Sequence, residues 1–433
     1  MRRPARSIYS SGMLLRTPFH DRVAAANQTS LWSHWAGHLV VERYQMSEKW
    51  EYTAIRNAVG VFDSSPLYKY RITGPDAERY LATVLSRDIR TCRPGQAHYT
   101  IWCDDRGFVN EDGVVYRLSD DDFLLTAAQP NLAHLSQLIN GRRVDITDVS
   151  PEFGILAVQG PRSRAVLAEL TADVDRLGYF DHITTRLGDL DADVTLARTG
   201  FTGDLGYEIL VPTDDPAAAT RVWDLLFEAG RDHGIVPFGQ TALLMARIEA
   251  GLLLIDVDFE PSRLAENDEH RSTPDELGLG WMLRDLDGDP DNDGNARKFI
   301  GREAILRERR DGTSRWVMRG LLVDPIDHED KYHRAGMIPP RDHLPVHDDM
   351  MVYDNTGERV GYATSFLYSP VLQRHIALAR IRPDHADPGT GVNLEFTINH
   401  RYVQVRADVA RNPLFNPPRK SAPTGPAPTG VPQ

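Results

Sequence analysis

Thr199-Gly200-Phe201-Thr202-Gly203-Asp204-Leu205-Gly206-Tyr207-Glu208 packs three glycines, two threonines and two acids directly ahead of the apolar run Ile209-Leu210-Val211-Pro212. Glycine is favoured where the backbone takes positive φ or lies against a ligand, and this density exceeds what one tight turn requires. Glu208 reads as an acid at the start of a strand whose neighbours point into the core. A carboxylate there pairs with a cation or accepts two N–H donors from a ligand. The other reading is a glycine-rich hairpin with Glu208 facing solvent.

The chain around this stretch has 433 residues, which at roughly 150 per domain predicts two or three domains with real cores. A formal charge of −13 argues against a surface built to neutralise phosphates, so nucleic acid is not an expected partner. No apolar run approaches a membrane span or follows the basic start Met1-Arg2-Arg3 as a signal peptide would. The expectation is a cytoplasmic protein without a membrane partner. Cys92 and Cys103 are too few for a disulfide framework or a cysteine metal site.

Read in order, residues 1–30 show no period and are expected to be an N-terminal extension, with folding starting near Leu31. Residues 48–58 are predicted helical, with Trp50, Ala54, Ile55 and Ala58 on one face and Gly60 as the stop. Tyr68-Lys69-Tyr70-Arg71-Ile72 alternates as a strand, and Thr73-Gly74-Pro75-Asp76 starts a helix with proline in its first turn. Leu156-Ala157-Val158-Gln159-Gly160-Pro161 repeats that sentence, which suggests an internally repeated α+β unit. Between the copies, three apolar runs separated by turn residues predict an antiparallel meander. Its middle strand carries Glu111 and Asp112, whose side chains must take opposite faces, so one of them points inward. Helices are predicted over 217–229 and 241–250.

The acidic stretch of residues 285–295 is spaced like a calcium loop from Asp289, but its twelfth position is Ile300, which leaves a solvated insertion as the reading. His328, His333, His343 and His347 lack the paired spacing of a metal site. Short strands from Val317 to Val405 predict a small barrel or jelly roll, and the Pro-rich residues after Asn416 a disordered tail.

Six blocks in consistent order now carry a resemblance: Ala58-Val59-Gly60-Val61-Phe62-Asp63, Thr73-Gly74-Pro75-Asp76-Ala77, Gln159-Gly160-Pro161, the stretch from Thr199 to Glu208, Arg247-Ile248-Glu249-Ala250-Gly251 and Phe299-Ile300-Gly301-Arg302-Glu303-Ala304. Over roughly residues 31–410 the chain resembles the glycine cleavage T-protein (aminomethyltransferase) family. The resemblance implies an α+β, three-domain fold: two α/β domains with antiparallel sheets over residues 31–315 around a tetrahydrofolate channel, a β-barrel or jelly-roll domain over 316–412, and a tail from 413 to 433. It implies transfer of a one-carbon unit to tetrahydrofolate, without a metal.

Residue by residue, Glu208 would hydrogen-bond the amide and amino edge of the pterin, with Phe201, Gly203 and Tyr207 in the same cofactor-binding set. Arg247 would line the channel mouth. Asp112 would be the catalytic acid, stabilising positive charge as the carbon moves. The departures from the family cluster elsewhere. Where the family reads Ser-His-Met-Gly-Lys this chain has Ser65-Pro66-Leu67-Tyr68-Lys69, and Leu243-Leu244 replaces an Arg-Asp pair. Tyr68, Leu67 and Glu111 are therefore the candidate donor pocket, narrower and more apolar than in the family. Three functions follow: aminomethyl transfer from a lipoylated carrier protein, demethylation of a small methylated amine, ether or sulfonium donor, and non-catalytic folate binding. The last is disfavoured because neither cysteine lies near Glu208.

Overall fold

Two Gly-Pro corners organise the molecule. Gly74 and Gly160 both have φ of +123°, and a Cβ at either would meet a carbonyl oxygen, that of Arg143 at 2.4 Å or that of Ala58 at 2.6 Å. Only glycine takes such a corner. Strand Tyr68–Thr73 thereby turns into helix Ala77–Val84, and strand Phe153–Gln159 into helix Ser163–Ala168. In this computed structural model, which describes residues 14–286, 297–340 and 343–423, the two units belong to different sheets.

The first sheet has five antiparallel strands, in the order Gln96–Cys103, Val109–Arg117, Asp122–Ala127, Tyr68–Thr73, Asp145–Asp148. One face buries Tyr70, Ile72, Trp102, Val115 and Leu125 against Tyr80, Leu81 and Val84 of the following helix. The second has six strands, in the order His182–Thr185, Val194–Ala197, Gly206–Pro212, Phe153–Gln159, Val59–Asp63, Ile235–Pro237, and is parallel only at its last pair. Its Leu156, Val158, Tyr207 and Ile209 pack on Val222, Leu225 and Leu226 of helix Pro216–Ala229. Each such buried side chain contributes about 1.5–3 kcal/mol.

The sheets meet at one edge, where Ala97 N donates to Phe180 O at 2.7 Å and His182 N to Gly95 O at 2.9 Å. The inner faces beyond that seam diverge, and the gap between them is the cavity described below. Residues 317–410 close a six-stranded barrel filled by Leu321, Val352, Ala377, Leu394 and Val405, so the barrel alternative holds over the jelly roll.

Several expectations are corrected. The folded chain begins before Leu31: Phe19 and Val23 are buried in the core of the six-stranded sheet, and Thr17 Oγ1 donates to Asp63 at 2.6 Å. Trp50 is 68% exposed; at about 100° per residue it lies about 140° around the helix from the buried Ile55. Gly60 is not a cap but a strand residue against the Phe238 ring.

The His-rich connection contains helix Pro325–Arg334, whose first N–H groups are capped by the Asp324 carboxylate. Among the described residues no group of three His, Cys, Asp or Glu side chains is placed to hold a metal. None of their helices is long and apolar enough to cross a membrane. The acidic stretch beyond residue 286 lies outside the described residues, as does the tail beyond 423. The tail before that point is folded: Arg419 makes a two-pronged ion pair with Asp204 (2.7 and 2.8 Å), and the buried Arg198 donates to the carbonyl of Ala422 at 2.7 Å.

Candidate active site

A cavity of about 1250 Å³ lies between the two sheets, helix Gln240–Glu249 and the barrel. Alternation along strand Val109–Arg117 turns Asp112, Val114 and Tyr116 to it, and the neighbouring strand adds Tyr99. The Tyr99 hydroxyl donates to Asp112 Oδ2 at 2.8 Å. Burial dominates over that hydrogen bond and pushes the Asp112 carboxyl up to about 6. Adjacent Glu111 is on the opposite face, fully buried and absent from the cavity wall. Asn131 Nδ2 donates to its Oε2 at 3.0 Å while Oε1 has no partner, and burial followed by the nearby Asp112 raises its carboxyl to about 8. Placing Glu111 in the donor pocket is therefore corrected by the two-residue period of the strand.

The six-stranded sheet supplies Glu208. Thr199 Oγ1 donates to Glu208 Oε2 at 2.5 Å, and the Tyr116 hydroxyl, reaching across from the other sheet, donates to the same oxygen at 3.3 Å. Oε1 accepts no hydrogen bond from the described residues. Burial raises this carboxyl too, with both hydroxyls opposing the shift.

The glycine-rich stretch acts differently from its sequence reading. It closes around the side chain of Gln159: Nε2 donates to the carbonyls of Thr199 and Tyr207 at 3.2 Å, and Oε1 accepts from Thr202 at 2.8 Å. A Cβ at Gly200 or Gly206 would sit 2.1–2.2 Å from that carboxamide. The glycines thus admit a buried amide that staples the loop, and the loop presents Thr199, Phe201 and Glu208 to the cavity.

Three expected cofactor residues lie elsewhere. Tyr207 points from the other face of its strand into the sheet core. Gly203 faces the end of helix Gln240–Glu249, where a Cβ would lie 2.2 Å from Ala250 Cβ. Arg247 is wholly buried, bound to Asp258 Oδ2 at 2.5 Å and to Ser365 at 2.8 Å, and ties the barrel to the rest of the molecule.

Tyr68, Leu67, Leu243 and Leu244 do line the cavity. The turn that presents the first two is pinned by Lys69, whose buried ammonium donates to the carbonyls of Ser65 and Leu67 at 2.8 Å each. Burial lowers that lysine to about 8, against the pull of Asp63. Sequence reasoning missed Tyr99 and Tyr116, which the same alternation that placed Asp112 would have given. It also missed Asn412, Pro413 and Lys420 of the C-terminal segment, which complete the wall.

Residues 19–285 match the family described as GCVT N-terminal domain, and residues 333–416 that described as glycine cleavage T-protein C-terminal barrel domain. The chain is 32% identical to an aminomethyltransferase of Streptomyces coelicolor over 83% of its own length and 88% of the relative's. It is 29% identical to that of Halothermothrix orenii, over 84% and 90% respectively. It is also 32% identical to a trimethylamine-oxide aldolase of Ruegeria pomeroyi, over 88% of this chain but only 45% of that longer protein. In fold it is similar to the glycine cleavage system aminomethyltransferase T of Bartonella henselae, with a TM-score of 0.74, 23% identity and coverage of 93% of this chain and 98% of that one.

Proposed function

The chain belongs to the glycine cleavage T-protein family of aminomethyltransferases, and on that premise we propose that its cavity transfers a one-carbon unit from a donor to tetrahydrofolate. The observation that carries this reading is the pair of carboxylates, Asp112 and Glu208, that two different sheets bring to one cavity. The residues present fit the cofactor. Glu208 has one oxygen held by two hydroxyls and another with no protein donor among the described residues, which suits an amide and amino edge offering adjacent N–H groups.

Tetrahydrofolate, when bound, supplies the amine that accepts the carbon. Glu208 orients the pterin end, and Thr199 and Tyr116 hold the Glu208 carboxylate in place. Asp112 keeps a negative charge at the reacting centre, where a buried carboxylate is worth more than in water. Tyr99 fixes its direction. Phe201 and the other apolar lining exclude water.

A second reading, demethylation of a compact methylated donor, is favoured by Leu67, Tyr68, Leu243 and Leu244, which line the cavity, since apolar side chains there suit a small methylated molecule. Mass spectrometry of folate products across a donor panel tests both. A folate carrying one added carbon is expected from at least one donor and forms about 10²–10⁴-fold more slowly with Asp112→Asn. No product from aminomethyl-loaded carrier protein or from methylated amines, ethers and sulfonium compounds would overturn the proposal.

A further inference from the structure

Between strands Val59–Asp63 and Tyr68–Thr73 the chain makes a short turn, and Ser64, Leu67 and, at its end, Tyr68 line the cavity. Two buried ionisable groups hold this turn, and neither is itself on the cavity wall. Asp63 holds its start: Oδ1 accepts from Ser65 N at 3.1 Å and from Ser65 Oγ at 2.6 Å, and Oδ2 from Thr17 Oγ1 at 2.6 Å. Lys69 holds the rest, its ammonium donating to the carbonyls of Ser65 and Leu67 at 2.8 Å each and to that of Ser150 at 3.4 Å. Ser65 is thus held by its amide from one side and by its carbonyl from the other. Its hydroxyl also accepts from Ile155 N at 3.0 Å, which ties the turn to the six-stranded sheet.

An ammonium has three N–H donors, and here three backbone carbonyls take them. Burying a lysine is costly, yet Lys69 makes no ion pair within contact distance among the described residues, and its side chain is spent on the backbone of this turn and on Ser150. The charges that face it are Asp63, Asp148 on the neighbouring strand, and His38 of the hairpin, which burial lowers. Burial brings the ammonium down to about 8, against the pull of Asp63 and Asp148.

We propose that Lys69 is a positioning residue for the donor: by holding the carbonyls of Ser65 and Leu67 it keeps Leu67 and Tyr68 against the cavity and so limits the size of donor admitted. The assignment rests on the small-donor reading above and adds what holds that wall in place. It also makes the limit depend on pH. A neutral amine has two N–H groups for three carbonyls, so the turn loosens and larger donors enter as Lys69 loses its proton.

Hydrogen exchange read by mass spectrometry on the full chain, over the peptide from Ser64 to Lys69 and corrected for intrinsic rates, tests the hold on the turn. The wild type is expected to lose protection about fivefold or more between about pH 7 and about pH 9.5, with strand Val109–Arg117 unmoved, while Lys69→Met shows the lower protection at both. Trimethylsulfonium and benzyldimethylsulfonium, neither of which titrates, read the consequence for the donor. The wild-type preference in kcat/KM for the smaller cation should fall about fivefold or more over the same interval, and Lys69→Met should start at the lower value and stay there with its tetrahydrofolate affinity unchanged. Equal protection of the wild type at both pH values overturns the proposal, as does a variant whose preference follows pH as the wild type's does. Should Lys69→Met fail to fold, the wild-type pair of pH values decides. Turnover of neither sulfonium overturns the small-donor reading and the size limit together, whereas turnover of both with one fixed preference overturns the size limit alone.

Discussion

The two sheets that wall the cavity each deliver one carboxylate, and they surround it differently. The five-stranded sheet gives Asp112 a single phenol, so burial wins and the acid is pushed up to about 6. The six-stranded sheet gives Glu208 two hydroxyls converging on one oxygen, one of them borrowed from the opposite sheet. A carboxylate gripped on one oxygen has its second aimed, which is what a residue that positions a ligand requires. A carboxylate with less support keeps its charge at a cost that a neighbouring positive centre relieves. The contrast supports the proposed division, with binding at Glu208 and charge at Asp112.

The largest effect expected from that division is on turnover. Asp112→Asn keeps the shape and removes the charge, so kcat should fall about 10²–10⁴-fold with little change in folate affinity. The raised carboxyl also sets a direction for pH. Wild-type activity should climb as pH rises through about 6, where Asp112 ionises, and the variant's residual activity should lose that limb. If Glu111→Gln produced this loss instead, the strand phase would be inverted.

A second way to sharpen the comparison uses Glu111, one residue away and facing the other side. Its folded-state carboxyl sits at about 8 against an ordinary 4.5, so its contribution to stability is intact below about 4.5 and is lost as pH rises to about 8. Glu111→Gln should therefore match the wild type in urea melts near pH 5 and exceed it by about 2 kcal/mol or more near pH 8.5. Equal stability at both pH values would mean that Glu111 finds a partner on ionising. The smallest effect is expected at Tyr68. Tyr68→Gly should shift relative kcat/KM toward the lipoyl-carrier donor by about tenfold, and an unchanged ratio would leave Tyr68 a packing residue.

How much of this was legible depended on whether the signal was local. Period-two alternation is local, and it separated Asp112 from Glu111 and could equally have separated Tyr207 from Glu208. The two Gly-Pro corners were readable as a repeat because their cause, a glycine-only φ beside a carbonyl, lies within a few residues. The Asp324-Pro325 helix start was also present in the sequence, and the histidines around it drew the reading away. Other roles were set by distant partners. Gly200 and Gly206 exist for Gln159, and Arg247 for Asp258 and Ser365, none of which spacing reveals. The Pro-rich composition after residue 413 reads as disorder, yet Arg419 meets Asp204 and Arg198 meets the carbonyls there, so tertiary ion pairing overrides composition.

The division of labour between the two carboxylates is tested most directly by calorimetric titration of tetrahydrofolate into wild type, Glu208→Ala and Asp112→Asn under one set of conditions. A charge-assisted hydrogen bond contributes about 1.5–3 kcal/mol, so Glu208→Ala should weaken binding roughly tenfold or more while Asp112→Asn stays within about threefold of wild type. Equal losses in the two variants, or unchanged affinity in a folded Glu208→Ala protein, would contradict the account.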